Sequence, residues 1–390
     1  MQSPYKDYVK KVCFVTAIPM TVEAFLVDYI RSLSADYHIT VVTNTDDAGF
    51  LSHYHINCRV VSVPIERDVS LLKDIKALFK LYTIFRTERF ASVHSVTPKA
   101  GLLAMVAAFF AGIPIRIHTF TGQVWVTKKG IKRWFLKTMD RIIALCATHI
   151  LVDSTSQRDF LLKEGLIKAD KVDVIGNGSI SGVDTERFSM NPAARKGLRE
   201  RLDIPIDAPV FLFIGRLNRD KGILDLAEAF KGLAEKYNSP HVVMVGPDEA
   251  NLRETIMKKV HPFERRVHIE GLTREPEGYM SASDCLCLPS YREGFGLVII
   301  EAASVGIPAI GSRIYGIVDA IEDGRTGLLH EPGDINGLLQ CMERMVLNSK
   351  ELKLMGEMAR KRAHCLFSKG FMISEFTSFY KRVLNEANVC

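Results

Sequence analysis

Residues 284–302 read DCLCLPSYREGFGLVIIEA. Cys285 to Leu288 is a short apolar run closed by Pro289-Ser290, the pattern of a strand buried on both faces. Gly294 and Gly296 then loosen the backbone, and Leu297 onward has the composition of a buried helix. This is a strand, a loop and a helix N-terminus in nineteen residues. Glu293 falls in the loop and Glu301 inside the helix, so the two carboxylates stand in different environments and do not form a same-face pair. The glycines allow backbone N–H groups to approach a ligand, and the helix dipole adds partial positive charge suited to a phosphate. Glu293 acting as a cap, with Glu301 exposed, is the plain structural alternative.

Upstream, APVFLFIG (208–215) leads into GRLNRDKG (215–222). Gly215 permits a tight strand exit, and Arg216 and Lys221 stand where a helix start already favours anions. A diphosphate fits that chemistry; solvated charges on an ordinary connection would look the same. No G-x-G-x-x-G occurs, which sets aside a dinucleotide fingerprint.

The strand and helix alternation extends in both directions. HVVMVG (241–246), RVHIEG (266–271), IPAIGS (307–312) and TGLLH (326–330) read as strands in the second half. KVCFVTA (11–17), HITVVTN (38–44), CRVVSVP (58–64), ASVHSV (91–96), IPIRIHTF (113–120), THILVDS (148–154) and 172–175 read so in the first. Apolar strands separated by helices predict parallel sheets covered on both faces. GNGSISGVD (176–184), followed by an Asn191-Pro192 helix start, marks the junction. The expectation is α/β with two Rossmann-like domains, 1–185 and 186–370, facing a cleft, and a terminal helix near 371–387 packing back on the first.

At 390 residues the chain suits two domains, and 47% hydrophobic with 25% charged residues is a globular balance. Eight scattered cysteines give neither a disulfide framework nor a zinc spacing, which fits a reducing cytoplasm. Met1 to Lys6 is polar, so no signal peptide is expected. Gly101 to Ile115 is too short to span a bilayer and reads as a buried core helix. The net charge of +6 lies in the first 185 residues, with 23 Lys+Arg against 17 Asp+Glu, and 28 against 28 thereafter. Much of it sits in VTKKGIKRWFLKTMDRIIALCA (126–147), where Lys128, Lys129, Lys132, Arg133, Lys137 and Arg141 are interleaved with Trp125, Trp134, Phe135, Leu136, Ile142 and Ile143, both tryptophans of the chain among them. Peripheral contact with an anionic membrane is the expectation; a helix packed on its own domain is the alternative. No base-reading module is present, so nucleic acid is not an expected partner.

The succession GRLNRDKG, VGPD (245–248), GLTRE (271–275), the E-x7-E of 293–301 and GIP…GSRIYGIVDAIEDGRTGLLHEPGD (306–334) resembles the retaining GT-B glycosyltransferases of family four. IRIHTFTGQVW (115–125) is similar to bacterial members that add hexosamine-type sugars to polyprenyl-diphosphate-linked acceptors. The resemblance implies that Arg216 and Lys221 bind the donor diphosphate after Gly215. It implies that Glu301 holds the ribose, and that Glu293 holds the donor sugar with the backbone of Gly294, Phe295, Gly296 and Leu297. Leu272 would meet the base, and His118 would stand beside the sugar. Pro19, Met20 and Thr21 occupy a turn where relatives often carry glycines, so they and Thr119, Thr121 and Gly122 are expected to shape the acceptor side.

The implied reaction is transfer from a UDP-sugar, N-acetylgalactosamine or a similar hexosamine, to a polyprenyl-diphosphate-linked saccharide at the inner face of the cell membrane. No Asp-x-Asp is placed for a nucleotide metal, so no metal or other cofactor is expected. A nucleotide-sugar 2-epimerase of related fold, or a non-catalytic sugar-nucleotide-binding protein, are the competing readings.

Overall fold

The computed structural model describes residues 9–66 and 70–386; Met1 to Lys6 and Ala387 lie outside them. The chain divides into two compact units. The first runs to Ser181 and resumes at Gly370; the second is Gly182–Lys369.

The first unit follows the order β1 (Lys11–Val15), α1 (Pro19–Phe25), α2 (Val27–Leu33), β2 (His38–Thr43), β3 (Arg59–Ser62), α3 (Leu71–Glu88), β4 (Ser92–Val96), α4 (Pro98–Phe110), β5 (Ile115–Phe120), α5 (Gly130–Cys146), β6 (His149–Val152), α6 (Thr155–Lys163) and β7 (Val172–Val174). Its seven strands are all parallel in the order β3-β2-β1-β4-β5-β6-β7. The apolar stretch from Gly101 is divided between two elements: α4 ends at Phe110 and β5 begins at Ile115. Ala100, Gly101, Leu103, Ala104, Met105, Ala107 and Ala108 are buried against the sheet, while Phe109 and Phe110 emerge at its end.

The second unit is α7 (Pro192–Arg201), β8 (Val210–Ile214), α8 (Ile223–Lys236), β9 (His241–Val245), α9 (Arg253–Val260), β10 (Val267–Glu270), α10 (Pro276–Ala282), β11 (Cys285–Leu288), α11 (Leu297–Val305), β12 (Ala309–Ser312), α12 (Ile317–Ala320), β13 (Gly327–His330), α13 (Ile335–Leu347) and α14 (Ser349–Leu366). The Asn191 side chain accepts from Ala194 N at 3.0 Å and starts α7, with Pro192 at a position that needs no N–H donor. Its six parallel strands run β10-β9-β8-β11-β12-β13. Consecutive crossovers go one way from β8 and the other way from β11, so the topological switch point lies between them, where open α/β sheets bind ligands. The last helix, α15 (Lys369–Glu386), belongs to the first unit beyond Gly370 and buries Phe376, Phe379, Tyr380, Val383 and Leu384 there.

Candidate functional site

Both motifs of the second unit leave strands flanking its switch point. After β8, Gly215 N donates to Val245 O at 2.9 Å, Leu217 N to Pro247 O at 2.9 Å, and Lys221 N to Asn218 O and Oδ1 at 3.2 and 3.1 Å. These amides serve the loop itself, so anion binding here falls to side chains. Gly222 is the hinge of the packing: its φ is +67°, and a Cβ on it would stand 1.9 Å from the carbonyl oxygen of Pro289. Only glycine lets the RDK turn lie directly on the exit of β11.

That contact brings Lys221 to Glu293. The ammonium Nζ donates to Glu293 Oε1 at 2.5 Å, and Ser290 Oγ donates to the same oxygen at 2.8 Å. Both side chains of the ion pair are largely buried. Glu293 Oε2 has no protein partner among the described residues. Arg216 instead reaches Glu249 at 3.0 Å, with both side chains well exposed. An exposed pair of this kind is worth about 1 kcal/mol or less, so opening it for a ligand costs little.

Beyond Glu293 the chain turns through Gly294 and Gly296 into α11. The amides of Gly294, Phe295, Gly296 and Leu297 have no hydrogen-bond partner among the described residues. They are the open donors of a helix N-terminus. The Gly316 loop presses on this turn: a Cβ at Gly316, whose φ is +84°, would meet Gly294 O at 2.4 Å. The Phe295 ring is buried against Phe367, centroids 5.3 Å apart, which fixes the turn to the core. Glu301 lies about one turn into α11. Burial raises its carboxyl to about 7, with Arg187 pulling the value down and Glu277 pushing it up. Leu272, in the loop after β10, is exposed.

In the first unit, His118 is fully buried on β5, and the parallel register sets it beside Ser95 of β4. Its Nδ1 lies 2.8 Å from Ser95 Oγ, and Nε2 is buried with no partner among the described residues. Burial lowers its pKa to about 3, so the imidazole is neutral at physiological pH. The ring lies on Gly101 of α4, where a Cβ would come within 2.3 Å of Cε1. His94 supplies the contrast: its ring nitrogens meet Tyr380 Oη and Thr119 Oγ1, each at 2.7 Å. Both nitrogens of His94 are satisfied, whereas His118 keeps Nε2 without a partner among the described residues.

The same bond places Thr119 on the opposite face of β5 from His118, buried and engaged by His94. Pro19 opens α1, Met20 is exposed and Thr21 is buried. Thr121 and Gly122 follow β5, Gly122 with φ +93°.

The basic segment 126–147 needs correction. Trp125 does not face solvent: it is 1% exposed, donates Nε1–H to Asp140 Oδ2 at 2.8 Å and stacks on Phe160. Arg133 and Lys137 lie over its ring and reach Glu164 at 3.7 and 2.5 Å, so they hold the helix to its own domain. Ile143 is core. Leu145 is exposed, as are Ile131, Trp134 and Phe135.

Residues missed in the sequence are the supports: Ser290 orienting Glu293, Ser95 orienting His118, and Gly101 making room for its ring. Ser95 and His118 are 23 residues apart, and only strand register joins them.

Two Rossmann-like units, the second presenting cations, a carboxylate and open helix amides at its switch point, define the GT-B class. The comparisons make the assignment. The family described as Glycosyl transferases group 1 matches residues 194–362, and the Glycosyl transferase 4-like domain matches 21–178. The chain is 30% identical over 93% of its length to the capsular polysaccharide biosynthesis glycosyltransferase CapM of Staphylococcus aureus, covering 93% of that protein. It is 32% identical to the UDP-Gal:alpha-D-GlcNAc-diphosphoundecaprenol alpha-1,3-galactosyltransferase of Escherichia coli, over 76% of each chain. In structure it is similar to Anabaena Alr3699/HepE in complex with UDP and glucose, with a TM-score of 0.77, 19% identity, and 95% and 99% of the two chains covered. This chain belongs to the GT-B glycosyltransferases of family four.

Proposed function

We propose that the chain is a retaining glycosyltransferase. It moves a hexosamine-type sugar such as N-acetylgalactosamine from UDP to a hydroxyl of a polyprenyl-diphosphate-linked saccharide in bacterial glycan assembly. The observation that carries this is the convergence, at one switch point, of Lys221, Glu293 with a free oxygen, and the open amides of 294–297. A relative that uses UDP-galactose on a diphosphoundecaprenol-linked acceptor supports the substrate classes, and a UDP complex of a structural neighbour supports the nucleotide.

As the glycosidic C–O bond of the donor breaks, negative charge gathers on the departing diphosphate and positive charge on the sugar. Lys221, and Arg216 once released from Glu249, would neutralise the first, with the α11 amides adding fixed dipoles. Glu293 Oε2 would accept a sugar hydroxyl, and Glu301 the ribose hydroxyls. The free Nε2 of His118 suits a hydrogen bond to the donor sugar without a charge change. The cationic pair takes the place of a nucleotide metal, so activity should persist in excess chelator.

The first unit would meet the inner face of the cell membrane through the exposed part of 126–147, Lys129, Lys132, Ile131, Trp134 and Phe135, because a polyprenyl acceptor stays in its bilayer. The deciding experiment incubates the chain with UDP-sugars, with and without a polyprenyl-diphosphate-sugar acceptor. Transfer only with acceptor supports the proposal. Epimerised nucleotide sugar without acceptor, or binding without turnover, would replace it.

A further inference from the structure

Leu272, the residue expected to meet the base, is 77% exposed on a loop that is fastened at both ends. Glu270 closes β10 just before it, and its Oε2 accepts from Arg201 Nη2 at 2.7 Å and from Tyr279 Oη at 2.8 Å. Inside the loop, Thr273 Oγ1 accepts from Glu275 N at 3.0 Å. At the far end Arg187, 87 residues upstream, donates from Nη2 to the carbonyl oxygen of Arg274 at 2.7 Å. The same guanidinium reaches Glu277 Oε2 through Nε and Nη2 at 3.2 and 3.0 Å. Arg187 captures a backbone atom, so it fixes the path of the loop. A lysine ammonium is a point charge without this planar fork.

The main chain of Arg187 is held to the other half of the nucleoside site. Asp184 Oδ1 accepts from Arg187 N at 3.1 Å, and the guanidinium lies over the Phe188 ring, 5.2 Å from its centroid. Phe188 O accepts from Ser304 Oγ of α11 at 2.7 Å. Ser304 stands three residues after Glu301, on the same side of that helix. Arg187 therefore bridges the helix that carries Glu301 and the loop that carries Leu272. The charges acting on Glu301 are the Arg187 guanidinium and Glu277 of α10; from α14, His364 reaches Ser304 at 3.2 Å. The Arg187–Glu277 pair is partly exposed, and such pairs add little to folding. What it contributes is position and field.

We propose that Arg187 is a positioning residue for the nucleoside half of the donor, holding the 271–275 loop for the base while its charge faces Glu301 at the ribose. This deepens the reading of a UDP-sugar donor and rests on it. An ionised Glu301 is acceptor-only and binds ribose hydroxyls through charge-assisted bonds. Burial opposes that ionisation, Glu277 adds to the opposition and Arg187 offsets it. Main-chain groups recognise a base well only when the loop carrying them is already in place. One side chain meets both needs, so base and ribose binding are coupled through Arg187.

The test is calorimetric titration of the full chain with UDP and, separately, with inorganic pyrophosphate, at pH values on either side of 7. Four proteins are compared: the parent, Arg187→Gln, Arg187→Lys and Glu277→Gln. Arg187→Gln should bind UDP about tenfold more weakly at neutral pH, from the loss of one charge-assisted contact. Its pH midpoint for UDP binding should move upward. Arg187→Lys keeps the charge without the fork, so it should hold the parental midpoint and recover only part of the affinity. Glu277→Gln removes the negative charge facing Glu301 and should move the midpoint downward. Ionisation of the UDP phosphates is common to all four, so differences between them report on Glu301. Pyrophosphate offers neither base nor ribose and should bind all four alike.

Parental UDP affinity and midpoint in Arg187→Gln overturn the proposal and leave the donor reading standing. Equal weakening of UDP and pyrophosphate with an unmoved midpoint shows a general loosening of the unit and overturns it too. Should Arg187→Gln not fold, an unmoved midpoint in Glu277→Gln has the same force. A parent that binds pyrophosphate but not UDP removes the donor reading itself.

Discussion

Glu301 carries a measurable electrostatic signature. Its carboxyl is raised to about 7 by burial, against an ordinary value near 4.5, so the folded chain favours the neutral form. Ionisation then opposes folding: stability is lost as pH rises from the ordinary value through 7, and the loss is complete above it. Glu301→Gln is expected to be about 1–3 kcal/mol more stable than the parent at pH 8 and equal to it near pH 4, read by urea unfolding at both pH values. If the carboxylate holds the ribose, UDP should bind the parent more tightly as pH rises through 7, and the variant without that dependence. A pH-independent parent in calorimetry would remove the ribose role. Lys221→Ala is expected to lower turnover by about two to three orders of magnitude, in line with loss of one preorganised electrostatic contact. Arg216→Ala should do the same if its bond to Glu249 opens for the donor. Parental turnover at saturating donor in both would dismiss the diphosphate assignment. At this scale the sequence displayed residue types and spacing: Glu293 before a glycine turn, Glu301 inside the helix, Lys221 beside a glycine. It could not display the Lys221–Glu293 bond, which depends on a backbone approach between Gly222 and Pro289. Nor could it distinguish His118 from His94, since both are buried strand histidines and only their partners differ.

Elements were legible where local pattern and tertiary burial agree. Every run read as a strand, from 11–17 to 326–330, contains one; the central strands are buried on both faces and need no alternation to be recognised, while β3 and β7 at the sheet edges are only partly buried. Where an element serves two surroundings, the pattern was ambiguous. Trp125 sits next to a basic helix and was read with it, yet Asp140, nearly three turns inside that helix, draws the indole N–H into the core. Leu145 falls among core residues in sequence but projects outward. The packing of α4 on β5 gives a test at this scale. Gly101→Ala favours the helix by propensity, by up to about 1 kcal/mol, but the new methyl displaces the His118 ring. Turnover is expected to fall by at least about tenfold, the scale set by misplacing a positioned group, with little change in melting temperature. Thermal melts and steady-state kinetics check it, and unchanged kinetics would mean that His118 does not need its present position.

At the scale of the whole molecule, the sequence order conceals that the first unit is completed by the end of the chain. Phe376 and Tyr380 of α15 meet Tyr29, His94 and Phe14, Phe379 meets His149, and Tyr380 Oη satisfies His94 Nδ1 at 2.7 Å. Lys10 Nζ also donates to Leu384 O at 2.6 Å. The second unit has no such dependence: its core is one cluster drawn from Val183 to Phe367. Six side chains of α15 are buried, Met372, Phe376, Phe379, Tyr380, Val383 and Leu384. At about 1.5–3 kcal/mol each, an upper estimate, their removal approaches or exceeds the 5–15 kcal/mol that holds a domain folded. A chain stopped after Gly370 keeps the contacts of Lys369 with Val183 and Asp184 that close the second unit. It is therefore expected to bind UDP with near-parental affinity by calorimetry, while backbone amides of β1, β4 and β5 lose hydrogen-exchange protection and all transfer ceases. Tyr380→Phe, which leaves α15 in place but strands one histidine nitrogen, should cost about 1–3 kcal/mol and leave the unit folded. Protection of β1 and β4 surviving the truncation would show that the first unit folds without its terminal helix. Loss of UDP binding along with it would mean that the donor half is not independent.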